Sequence, residues 1–206
     1  MKSGKTKPTE EIILNAAMKV FTRRGYAGAR TEDIAKEAGI NRALLHYYYR
    51  DKETIFNLIF ETRIKEFFGG VFGIFQTTLP LFEKIDKLVQ HEIETFSKHP
   101  DLAHFVLGEI AQEPERLLHF GEKLNLNPRK LIAGFENQIN EEVKRGTLRP
   151  VDGRQLIIHI MSLCIYPFIA RPIIKTMMQM EEPDFMIMMD KRKKEVYEFI
   201  MHAIKK

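Results

Sequence analysis

The chain has 206 residues, 44% of them hydrophobic and 29% charged, which is ordinary globular usage with room for one medium domain or two small ones. No Pro-, Ser- or Gly-rich tract interrupts it and there is one cysteine, so composition excludes a disordered, fibrous or intramolecularly disulfide-stapled chain. Net charge is only +4, but residues 1–52 hold 11 Lys and Arg against 6 Asp and Glu; the whole basic excess lies there, as expected where a protein meets a polyanion.

Pro8-Thr9-Glu10-Glu11 opens the first helix, with Thr9 as a cap and acidic residues in the first turn, where the helix dipole favours them. Ile12, Ile13, Ala16, Ala17, Val20 and Phe21 make one apolar face, and Arg23-Arg24-Gly25 reads as its stop. A second, short helix spans Thr31–Ala38 and ends at Gly39. Asn41 caps a third, Arg42–Tyr49. Asp51 caps a fourth, running through Ile55, Phe56, Ile59, Phe60, Ile64 and Phe67 toward Phe75. Beyond it, helices are expected near Ile85–Lys98, Asp101–Gln112, Pro128–Arg145, Arg154–Gln179 and Asp184–Ile204, punctuated by Asn127-Pro128, Gly146 and Pro183-Asp184. No sustained alternating pattern announces strands. The expectation is an all-α fold of about nine helices, divided into a three-helix N-terminal domain at 1–52 and a larger helical domain at 53–206.

Function concentrates between residues 31 and 49. Two helices that cross closely need a small residue at the contact, a glycine where the chain reverses and apolar residues holding the pair. Ala35 is the small contact, Gly39 the turn, and Ile34, Ala38, Ile40, Leu45 and Tyr48 or Tyr49 the wedge. With Leu45 inward, Arg42, Ala43, His46 and Tyr47 point out. That arc suits a recognition helix: Arg42 for a base or phosphate, Ala43 for close approach, Leu44 for a thymine methyl, His46 and Tyr47 for phosphates, with Asn41 at the helix start. Thr31 and Lys52 stand at the starts of helices two and four, where free N–H groups favour a phosphate. A helix pair of this kind can also be purely structural, with Tyr47-Tyr48-Tyr49 as packing.

These residues resemble the TetR family of bacterial regulators. The likeness rests on Phe21-x-x-x-Gly25-Tyr26, then Thr31-x-x-Ile34-Ala35-x-x-Ala38-Gly39-Ile40, then Leu45-His46-Tyr47-Tyr48-Tyr49-x-x-Lys52-Glu53. Leu44 departs from the small polar residue frequent in the family, and Tyr49 from the usual Phe. The resemblance covers about the first 60 residues. It implies a homodimeric regulator, a repressor by preference over an activator, released from a palindromic double-stranded DNA operator when a small apolar effector binds the C-terminal region.

That region carries no comparable motif. Gly69, Gly70 and Gly73, set among phenylalanines, are unusual inside a helix, each costing about 1 kcal/mol relative to Ala; a functional bend and plain tight packing both account for them. Phe68, Phe72 and Phe75, with His104 and His119, are candidates for an effector pocket, although His104, His119 and His159 read more simply as core histidines. Leu156, Ile160 and Leu163, with Val196, Phe199 and Ile200, are candidates for the dimer interface. Cys164 lies in an apolar run as a buried thiol. No residue set has metal-ligand spacing, a phosphate loop or a nucleophile elbow, so no metal, cofactor or catalytic residue is expected. The N-terminus lacks an apolar leader and the longest apolar run, 156–170, is shorter than the roughly 18 residues of a span, so a cytoplasmic protein is expected, with no membrane partner. The rival reading is a helical carrier or interaction protein for lipid-like molecules, without specific DNA binding.

Overall fold

The computed structural model describes residues 6–206 apart from Asp101, Leu124 and Leu126; the basic N-terminal segment and the expected start of a helix at Asp101 lie outside them. Among the described residues are eleven α-helices: α1 Thr6–Gly28, α2 Thr31–Glu37, α3 Arg42–Tyr48, α4 Lys52–Gln76, α5 Leu81–Lys98, α6 Leu102–Gln112, α7 Glu115–Lys123, α8 Pro128–Lys144, α9 Gly153–Ile169, α10 Arg171–Met177 and α11 Glu182–Ile204. One isolated antiparallel bridge, Leu148 with Lys205, is the sole extended pairing among them. The fold is all-α, as the periodicity implies.

The chain forms two compact units, one comprising the residues up to Ile64 with His104–Pro114, the other Lys65–Ala103 with Glu115–Lys206. In the first, α1 packs on α2 and α2 on α3, and Ile13, Ala17, Val20 and Phe21 of α1, Ile34 and Ala35 of α2, Leu45 of α3 and Phe56 of α4 are all buried. Phe56 meets Phe21 edge-on at 5.2 Å and Phe105 at 5.7 Å, so this core borrows an aromatic ring from α6, far along the chain. The first helix starts at Thr6, so Thr9 is internal to it and is not its cap. Its regular geometry breaks at Gly25, where φ is +66°, a conformation glycine reaches without a Cβ penalty.

In the second unit, α5 is strongly amphipathic. Its buried Leu81, Ile85, Leu88, Val89, Ile93 and Phe96 face α9 and α11, and α8 packs on α9. Lys84 is buried with them: its Nζ donates to the carbonyls of Phe75 and Thr77 and to Gln138 Oε1 at 2.7 Å. This ties the end of α4 to α5 and α8, and burial pushes the Lys84 ammonium below its ordinary pKa.

Three elements depart from the sequence reading. Helix α7 has no counterpart in it, because only Phe120 and Gly121 of its nine residues are buried and the apolar stripe is too thin to stand out. The expected single helix Arg154–Gln179 is two, bent by 67°: Pro172 lacks an N–H and its ring collides with the carbonyl four residues back, so α9 ends and Pro172 falls in the first turn of α10. Helix α5 begins at Leu81, four residues earlier than expected, directly after Pro80.

Candidate nucleic-acid interface and effector cavity

The turn between α2 and α3 is closed by hydrogen bonds. Gly39 N–H donates to Lys36 O at 3.2 Å and Ile40 N–H to Ala35 O at 3.0 Å, the paired pattern that ends a helix through a left-handed residue, with Gly39 at φ +66°. Helix α3 then starts at Asn41, whose Oδ1 accepts from Leu44 N–H at 2.8 Å, as expected of a cap. Leu45 is 2% exposed and anchors the helix to the core. Opposite it, Arg42, Ala43, Leu44, His46 and Tyr47 are all exposed, Tyr47 to 80%. The structure therefore gathers Asn41 and these five residues along one open edge of a helix held rigidly from behind.

Electrostatics keep α2 in place and leave α3 available. Arg24 pairs with Asp33 at 2.7 Å, and Arg23 and Lys19 both reach Glu37, pinning α2 to α1. The Arg23 hydrogen bond holds the Glu37 carboxyl below the usual carboxylate range. Arg42 reaches Glu32 at 3.1 Å, but both side chains are well exposed. Pairs of that kind are worth about 0–1 kcal/mol, so the guanidinium can exchange this partner for a phosphate or base edge.

One expected contact is placed differently, that of Lys52, whereas Thr31 stands at the start of α2. Lys52 does not extend from the start of α4 toward solvent; its Nζ donates to the carbonyls of Tyr26 at 2.7 Å and Ala29 at 3.1 Å and lies 4.3 Å from the centre of the Tyr26 ring. The break at Gly25 leaves carbonyls there that need donors, and Lys52 supplies them. Thr31 is half-buried in the first turn of α2, after Arg30 at the N-cap position.

In the second unit, a cavity of about 120 Å³ is lined by Phe67, Phe68, Val71, Phe72 and Phe75 of α4, Leu88 and Glu92 of α5, Leu117 of α7, Pro128, Ile132 and Phe135 of α8, and Ile157, Ile160 and Met161 of α9. Phe68, Phe72 and Phe75 thus share one apolar lining. His104 and His119 do not belong to it; both are exposed, and His159 is exposed too, so none of the three is a core histidine. Each faces away from the apolar stripe of its own helix. Glu92 was not anticipated as part of any site. It is 2% exposed, and burial pushes its carboxyl up to about 7 although the Cys164 thiol donates a hydrogen bond to it. Cys164 is buried, as expected, and burial raises its pKa as well. An acidic residue at a core position of α5, in register with Leu88 and Phe96, is the signal that marks it.

The glycines of α4 separate into two kinds. A Cβ on Gly70 would lie 2.1 Å from the His91 ring, whereas one on Gly73 would meet nothing within 4 Å. The helix runs unbroken to Gln76, so close packing, and not a bend, accounts for Gly70.

The expected dimer positions also divide. Leu156, Ile160, Val196 and Ile200 are buried within the unit's own core. Phe199 is 64% exposed, and it shares a surface groove with Leu163, Val196, Arg192 and Glu195. Ile158 and Tyr166 on α9 and Ile187 on α11 are exposed as well.

Comparison with known proteins covers most of the chain. Residues 13–59 match the family model described as bacterial regulatory proteins, tetR family, and residues 82–200 match one described as tetracyclin repressor-like, C-terminal domain. The uncharacterized HTH-type transcriptional regulator YhgD of Bacillus subtilis is 23% identical over 153 residues, covering 69% of this chain and 73% of its own. The HTH-type transcriptional regulator RutR of Escherichia coli K12 is 25% identical over 153 residues, 74% of this chain and 70% of its own. Among solved structures, the ketosteroid transcriptional regulator KstR2 of Mycobacterium tuberculosis superposes with a TM-score of 0.72 at 16% identity, over 99% of this chain and 97% of its own.

Proposed function

Because the chain belongs to the TetR family of bacterial regulatory proteins, a family of helix-turn-helix transcriptional regulators, we propose that it is a homodimeric repressor that leaves its operator when a small apolar effector occupies the cavity of the second unit. The observation that carries the DNA-binding half is the open edge of α3, Arg42 to Tyr47, backed by buried Leu45. A seven-residue helix exposed on one side and fixed on the other is the geometry that enters a major groove. Arg42, Ala43 and Leu44 read base edges; His46 and Tyr47 donate to phosphates. Thr31, at the start of α2, fixes register. Lys52 acts from behind by holding α1 and α4 together.

Dimerisation draws on the exposed apolar side chains Ile158 and Tyr166 of α9 and Ile187 and Phe199 of α11. A two-fold dimer presents two copies of α3, so the operator is a palindrome whose half-sites lie about one helical turn apart. Effector binding releases DNA only if the effector prefers the dimer whose recognition helices are wrongly spaced. The relatives are regulators and not enzymes, and among the described residues no single helix is long and apolar enough to cross a membrane; a cytoplasmic site of action fits both.

Electrophoretic mobility shift on fragments from upstream of its own gene tests the reading. A repressor retains one fragment over a large excess of competitor DNA. A helical carrier for lipid-like molecules shows no sequence preference.

A further inference from the structure

Glu92 is a polar exception in the cavity. Phenylalanine, leucine, isoleucine and methionine form nearly all of the lining, yet a carboxyl group is set among them at 2% exposure. Its Oε2 has no hydrogen-bond partner, and the Cys164 thiol, a weak donor, donates to the same carboxyl. A buried polar atom left unpaired destabilises a fold, and a leucine at position 92 would continue the apolar face of Leu88 and Phe96 without that cost. Places where a sequence breaks its own packing rule are where function is expected.

We propose that Glu92 is the polar anchor of the effector site, and that its occupant is a small, largely apolar molecule carrying one hydrogen-bond donor, a protonated amine above all. The proposal rests on the reading that this cavity receives the effector. Oε2 requires a donor, and an ammonium supplies both the donor and the charge that makes a buried carboxylate tolerable. A carboxyl pushed up to about 7 gives up its proton when a cation arrives beside it. An anionic head group has the opposite effect, setting a second negative charge against the first. Size narrows the class further: a cavity of about 150 Å³ holds benzene, so about 120 Å³ takes a molecule of roughly six heavy atoms without rearrangement.

The test is isothermal calorimetry of the full-length protein with n-pentylamine, 1-pentanol, pentane and pentanoate, alongside Glu92→Gln, which keeps the side-chain shape. The amine is expected to bind at least tenfold more tightly than pentane or pentanoate, with the alcohol between. Glu92→Gln lowers amine affinity tenfold or more and alcohol affinity less than threefold. Equal affinity for amine and pentanoate, an unchanged order in Glu92→Gln, or no binding of any of the four at millimolar concentration overturns the proposal. Operator release is measured in parallel to keep the two ideas apart. Amine bound through Glu92 without release leaves the anchor standing and removes the effector reading; release by other compounds without any amine preference does the reverse.

Discussion

Replacing Lys52 by methionine separates a structural lysine from a DNA-contacting one. The substitution keeps most of the aliphatic stem and removes two charge-assisted hydrogen bonds, to Tyr26 O at 2.7 Å and Ala29 O at 3.1 Å, together with the contact over the Tyr26 ring. Hydrogen bonds to charged groups contribute about 1.5–3 kcal/mol each, and Lys52 is only half-buried, so the lower end applies and the loss of two is about 3 kcal/mol. In a chain of this length each kcal/mol moves the melting midpoint by about 2–4 °C, so it falls by roughly 6–12 °C. Operator binding, measured well below that midpoint across a salt series, keeps the wild-type slope of log affinity against log salt, since no phosphate contact is lost. A lysine that touched phosphate would give the opposite pair of results: an unchanged midpoint and a slope shallower by about one. That pair refutes the placement of Lys52.

Arg42→Ala is expected to weaken specific binding by about 1–3 kcal/mol with the melting midpoint unchanged, because its pair with Glu32 is exposed at both ends; a competition shift assay reads it. Gly73→Ala stabilises the chain by about 1 kcal/mol in chemical unfolding through helix propensity alone. Gly70→Ala destabilises it, since overpacking against the His91 ring costs about 1–3 kcal/mol and outweighs the same gain. Glu92 gives the protein a pH dependence of definite sign. Its carboxyl is raised from 4.5 to about 7 in the folded state, so its stabilising proton is fully present below pH 4.5 and is lost as pH rises through 7. A tenfold change in proton affinity corresponds to about 1.4 kcal/mol, so wild type loses on the order of 2–3 kcal/mol relative to Glu92→Gln between about pH 5 and pH 8 in urea unfolding.

The helix-turn-helix was legible because its requirements are local. A small residue at Ala35, a left-handed turn at Gly39, a cap at Asn41 and an anchor at Leu45 are each dictated within one or two turns of chain, and the structure uses all four. Lys52 was not legible in the same way, because its partners are carbonyls 23 and 26 residues upstream that a break at Gly25 makes available. Long-range burial was equally hidden. Val196 and Ile200 are apolar whether they face the protein's own core or a second copy, and the packing of α11 on α5 and α9 buries both while Phe199 stays exposed. Pro172 did carry a readable stop, masked by the apolar pattern resuming at Ile173 and Ile174. Glu92 was readable in principle as a charge on a buried stripe, yet its meaning depends on α4, α8 and α9 closing an apolar cavity around it.

Sequencing the DNA fragments that the purified protein selects from a random pool bears most directly on the role of α3. Convergence on one palindrome, with half-sites about one helical turn apart, is the predicted result. A selected pool no richer in any sequence than the starting one contradicts it.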